Sequence, residues 1–206
     1  MNNPEYVKIG EKKYKINTDF RVAIKCNCIA EDTTISDTER ALAIIYLLYG
    51  DEGLNDFENH EKLMELAKKY LLCGEEPMDN IESKKDMDYI QDKYYIRSSF
   101  IQDYKYNPYE KEYLHWYDFY HDLNNLSNSE FGNCCILSRI RNFRNLNVSE
   151  IKDSKKRAEI IKIKEYLALK KEIKMTEEQK KNQDNFYKLL NGGEWFGCSR
   201  MDYVRN

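Results

Sequence analysis

Apolar residues alternate with polar ones at the start of the chain and recur at three- and four-residue steps through most of the rest. Val7 and Ile9, then Tyr14 and Ile16, alternate across Gly10, which predicts a β-hairpin over about residues 5–17. A lone hairpin is marginal in water, so it packs on the rest of the domain or pairs with another chain. Its free edge is a first pointer to self-association. Asn17 or Thr18 then caps a helix that places Phe20, Ala23, Ile24 and Cys28 on one face. Ser36 and Glu39 have capping-box spacing, and the helix they open closes on Gly50. Its centre is apolar nearly all round, which predicts the most buried helix.

A third helix has Asn55 as cap, Gly74 as stop and Phe57, Leu63, Leu66, Ala67 and Tyr70 as its stripe. Residues 75–85, with Pro77 and mixed charge, read as a loop. A long helix follows from Lys85, with Met87, Ile90, Tyr94, Ile101 and Tyr104 in phase. Asn107-Pro108 opens the next, since proline suits a first helical turn. It carries "EYLHWYDFYHD" and ends near Leu126. Further helices run through Phe131, Cys135, Leu137 and Ile140, and through Ile160, Ile161, Ile163, Tyr166 and Leu167. Thr176 and Gln179 form another capping box, whose helix stops at Gly192. The expected architecture is mainly α: a multi-helix domain of about eight helices with an N-terminal β-hairpin.

Composition changes this picture little. Of 206 residues, 41% are hydrophobic, enough for one substantial core. Seventeen tyrosines favour shallow cores and contact surfaces, because each ring packs while its hydroxyl stays near water. The net charge of −3 comes from interleaved signs without a basic block, which argues against a nucleic-acid partner. The longest apolar run, Ala41 to Tyr49, is too short to cross a bilayer, so no membrane role is expected. The N-terminus has no signal-peptide core, so the six cysteines are expected to be thiols, and no CxxC pair occurs.

His115 and His121 in "EYLHWYDFYHD" are the first candidates for chemistry. At 3.6 residues per turn they point about 120° apart, so one helix cannot aim both at one ion. Tyr113, Trp116, Tyr117, Tyr120 and Leu123 do share one helical face. That is the spacing of a core stripe, part of which can remain open as a groove for a partner helix. Asp118 and Asp122 share a face by the i, i+4 rule, as solvated carboxylates commonly do. Arg139, Arg141 and Arg144 make the one basic cluster; Arg141 and Arg144 share a face and Arg139 does not. No nucleophile elbow, phosphate loop or HExxH motif is present, and no catalytic residue, cofactor or metal is assigned. The candidate partner-binding residues are Tyr113, Trp116, Tyr117, Tyr120, Arg141 and Arg144.

Several stretches in order carry a resemblance. They are "INTDFRVAIK" (residues 16–25), "DMDYIQDKYYIRSSFIQDYKYNP" (86–108), "EYLHWYDFYHDLNNL" (112–126) and "IKDSKKRAEIIKIKEYLAL" (151–169). Together they resemble the "gene product fifteen" family of long-tailed phages and prophages of Gram-positive bacteria. The family pattern often has a second Trp where Tyr117 stands, and fewer cysteines. The resemblance divides the chain into a family domain, 1–171, and a C-terminal helix with an aromatic tail, 172–206, which is expected to be mobile or to wait for a partner. It implies a tail assembly chaperone and no enzyme. Such a protein coats the tape-measure protein in the host cytoplasm, helps recruit the tail-tube subunit, forms homo-oligomers and is absent from the mature virion. The alternatives are a structural subunit retained in the tail or head–tail junction, and a small enzyme or regulator using the histidines and acids.

Overall fold

A computed structural model describes residues 3–75, 85–128 and 134–170. Strands β1 (Tyr6–Ile9) and β2 (Lys12–Lys15) precede seven helices: α1 (Phe20–Glu31), α2 (Asp37–Leu54), α3 (His60–Leu71), α4 (Lys93–Tyr104), α5 (Trp116–Asn124), α6 (Ile136–Asn145) and α7 (Ser154–Leu167). The expected loop at 75–85, Phe131 and the eighth helix from Thr176 lie largely or wholly outside the described residues.

The hairpin is antiparallel, with Val7 opposite Tyr14 and Ile9 opposite Lys12. Gly10 takes the left-handed φ of 60° that the tight turn needs. Tyr14 and Ile16 are buried, so one face of the hairpin packs on its own domain. The Asn17 N–H donates to the Leu48 carbonyl at 2.7 Å, fastening the exit strand to α2.

The cap of α1 is Asp19, whose carboxylate accepts the Arg21 N–H at 2.8 Å, one or two residues later than expected. The reason is tertiary: the Thr18 carbonyl accepts the Trp116 N–H at 2.8 Å, and Asp19 pairs with His115 in an isolated antiparallel bridge. Both halves of the Ser36–Glu39 capping box form. Gly50, at φ 66°, kinks α2 and does not end it; the helix runs one turn further to Leu54. Nor is α2 the most buried helix. Five of its eighteen residues are buried against five of twelve in α1, and Tyr46 is half exposed.

Asn55 caps the C-terminal end of α2, and a 3-10 turn, Phe57–Asn59, leads into α3. Phe57 leaves the predicted stripe and is 76% exposed, whereas Leu63, Ala67 and Tyr70 are buried. α4 starts at Lys93, eight residues later than expected. The Asp88 carboxylate takes the Ile90 and Gln91 N–H groups at 2.9 and 2.8 Å, and this local turn competes with a helix. The predicted phase therefore fails: Ile96, Ser99 and Phe100 point inward, while Tyr94 and Ile101 are exposed. Pro108 opens a separate 3-10 turn, and α5 begins only at Trp116, capped by His115.

The core centres on Phe119. Its ring lies 4.4 Å from that of Phe20, 5.3 Å from Phe100 and 6.0 Å from Trp116, tying α1, α4 and α5 together. The main helix neighbours run in the order α3, α2, α1, α5, α4, α6, α7. α7 is the last of that row, and α3, packed chiefly on α2, also meets α5 through Tyr70 and Leu71.

Candidate partner surfaces

The aromatic stretch divides at His115. Its Nδ1 accepts the Tyr117 N–H at 3.0 Å, which leaves the proton on Nε2, 3.3 Å from the Pro4 carbonyl it donates to. His115 is thus a buried helix cap, and His121 is exposed beyond it. Trp116 is fully buried, and its Nε1–H donates to the Leu71 carbonyl at 3.2 Å, so α5 is pinned to α3. Trp116 has no surface to offer a partner, which corrects its expected role. It is a core residue because the bridge to Asp19 turns it inward.

Tyr117 and Tyr120 flank the core half-buried. Tyr117 stacks on Tyr70 at 5.3 Å, and burial pushes its hydroxyl up to about 12. The Tyr120 ring lies 5.4 Å from Trp116, and its hydroxyl donates to Glu75 at 3.3 Å. Tyr113 lies outside the helix, 55% exposed, with its hydroxyl 2.6 Å from that of Thr18. The predicted stripe thus splits into a buried Trp116 and Leu123, two flanking rings and one outlier. Phe119, the most central ring, lies off the stripe that starts at Tyr113. The run 116, 119, 120, 123 has the same 0, 3, 4, 7 steps as 113, 116, 117, 120, and it is the helix start at Trp116 that selects it.

Asp118 accepts from Asn3 at 2.8 Å, and Asp122 accepts the Tyr106 hydroxyl at 2.5 Å. The two carboxylates serve separate anchors. Among the described residues no group of three or more His, Cys, Asp or Glu is placed to hold a metal ion. Cys26 is buried, and burial pushes its thiol up to about 12, away from the reactive thiolate.

The basic cluster meets acids of its own chain. The Arg144 guanidinium donates to both Asp92 oxygens, at 2.7 and 2.8 Å, and also to the carbonyls of Asp86 at 2.8 Å and Leu167 at 2.7 Å. The Asp92 side chain is 1% exposed and that of Arg144 9%. Arg141 joins the same loop through Asp86, at 3.1 Å, and keeps part of its surface. Arg144, expected to meet an acidic partner, is therefore an internal clamp joining α6 to the segment before α4 and to the end of α7. Arg139 is exposed, off that face, as its spacing predicts. Nothing in the linear sequence singled out Asp92 as its partner.

Among the described residues, α7 leaves apolar side chains uncovered. No residue of α7 is buried, although Ile160, Ile161, Ile163 and Leu167 sit in fourteen residues. Polar bonds hold the helix to its neighbours: Asp153 caps it, Arg157 donates to the Ile151 carbonyl at 2.8 and 2.5 Å, and Lys164 donates to that of Leu146. Ile161 and Ile163 remain 37% and 40% exposed and Tyr166 86%. At its N-terminal half, Leu146, Ile151 and Ile160 floor a groove of about 450 Å³, with Lys152, Asp153 and Lys156 at its edge. No helix of the described residues is long and apolar enough to cross a membrane.

The family model described as Bacteriophage Gp15 protein matches residues 1–169. The chain belongs to that family. Its Gp15 span takes in every described helix, including α7, and membership places the chain among phage structural or morphogenesis proteins. Neither a curated protein nor a solved structure matches it.

Proposed function

We propose that this Gp15 chain is a tail assembly chaperone. It binds the tape-measure protein in the host cytoplasm, keeps it soluble, helps recruit tail-tube subunits and leaves before the particle is complete. The observation that carries this reading is α7, a charged helix that also carries Ile160, Ile161, Ile163, Tyr166 and Leu167 and buries none of them. A long helical protein with exposed apolar stripes aggregates unless those stripes are covered. In the C-terminal turns of α7, Ile163 and Tyr166 lie three residues apart and share an exposed face that such a stripe can dock on, while Ile161 lies off it. Tyrosine and a lysine-rich rim favour contact that incoming tube subunits can displace. The work is binding, with no bond made or broken.

Co-expression with the phage's own tape-measure protein tests the reading. The tape-measure protein should stay soluble and co-purify with this chain. The double variant Ile163→Ser/Tyr166→Ser should stay folded and lose it. A tape-measure protein that is insoluble and unbound beside the wild-type chain overturns the proposal. Mass spectrometry of purified particles checks the departure: a stoichiometric amount of this chain there makes it a retained tail subunit instead.

A further inference from the structure

We propose that copies of this chain join head to tail, with Phe57 of one copy seated in the α6–α7 groove of the next. Phe57 projects from the 3-10 turn before α3, 76% exposed, its ring propped against that of His60 at 5.3 Å. A single exposed ring is ordinary on a protein surface. What marks this one is its setting. The segment Asp51–Glu65 holds six acids and one lysine, and Glu58 and Glu61 stand exposed beside the ring. Lys12 of the hairpin is bonded to Asp56.

The groove has the opposite character. Its floor is Leu146, Ile151 and Ile160, and its 450 Å³ give room for one aromatic side chain. Lys152 and Lys156 edge it, and the one acid there, Asp153, is engaged as the cap of α7. The segment Lys152–Lys164 carries six basic residues against two acids, in a chain whose net charge is −3. A ring with an acidic collar thus complements an apolar groove with a basic rim. Phe57 does not line the groove of its own chain, and the two patches lie on different elements, the turn before α3 and the α6–α7 junction. Two different patches that complement each other make a heterologous contact, which builds open chains or closed rings and not a two-fold dimer. The contact uses the N-terminal half of α7 and needs no tape-measure protein, so it can fail while the chaperone reading stands, and the reverse.

Analytical ultracentrifugation of the full chain at rising concentration tests it. Wild type should form a ladder of assemblies that shrinks as salt screens the charges. Phe57→Ser and, separately, Lys152→Glu/Lys156→Glu should each weaken association at least about tenfold, about 1.4 kcal/mol, with unchanged melting temperature. The decisive sample mixes these two variants. Each retains the half that the other lacks, so the mixture should form a one-to-one dimer and stop there. Adding Glu58→Lys/Glu61→Lys to the groove variant's chain should restore the ladder. A wild-type chain that stays monomeric, a symmetric dimer insensitive to both changes, or a mixture no more associated than its components overturns the proposal.

Discussion

α5 and α7 carry similar patterns and meet opposite fates. Both place large apolar side chains at helical steps, and both lie within the family match. On α5, Trp116, Phe119 and Leu123 are buried between α1, α4 and the end of α3. On α7 nothing is buried. The difference lies in position: α5 is central in the row of helices, and α7 is its last member. A periodic stripe states which side of a helix is apolar and leaves open whether anything lies upon it. The α5 stripe has the spacing of a core stripe and is mainly core, and the apolar side chains of α7 are the ones left uncovered.

The comparison breaks most readily at α5. Trp116→Ala should cost about 3–5 kcal/mol in urea unfolding, as expected for truncating a fully buried ring. A loss below about 1 kcal/mol would mean that this face is not core. Arg144→Ala should cost a similar amount, about 3–5 kcal/mol, because Asp92 would remain buried and uncompensated. The double change Arg144→Met/Asp92→Leu should recover most of that loss, since it removes both charges together. That recovery separates an internal clamp from an arginine kept for an outside partner.

A smaller, pH-dependent effect belongs to the hairpin. Asp56 accepts from Lys12 at 2.6 Å, from the Tyr14 hydroxyl and from Asn59, and the Lys12 bond above all holds its carboxyl well below the usual range. The folded pKa is depressed, so the stabilisation is present above the ordinary carboxylate value near 3.8 and fades as pH falls through the folded one. Asp56→Asn should therefore melt below wild type at neutral pH, and the two curves should converge in strong acid. Equal melting points at neutral pH would show that the anchor contributes nothing. The smallest stability effect should come from α7: Ile163→Ser/Tyr166→Ser should shift unfolding by only about 0.5 kcal/mol per site, the usual range for exposed sites.

Local signals were legible in the sequence and long-range ones were not. The turn at Gly10, the capping box at Ser36 and the helix stop before Gly74 need only neighbours in the chain, and each forms as read. α4 failed because the Asp88 turn captured the N–H groups that an earlier helix start would have used. The cap of α1 moved to Asp19 because Thr18 is paired with Trp116, almost a hundred residues away in sequence. Arg144 and Asp92 are a pair that only the fold brings together. Of the six expected contact residues, Tyr113 and Arg141 keep surface, Tyr117 and Tyr120 keep part of it, and Trp116 and Arg144 are interior. The groove went unread because Leu146 and Ile151 lie outside any periodic helix.

Hydrogen exchange on the full chain, alone at low concentration and then bound to the tape-measure protein, tests the contrast between the two helices most directly. The amides of α5 should be strongly protected in both samples, while those of α7 should exchange early in the free chain and slow by at least about tenfold when bound. Equal protection of α5 and α7 in the free chain, or slowing on binding confined to α5, would contradict the assignment of one face to the fold and the other to partners.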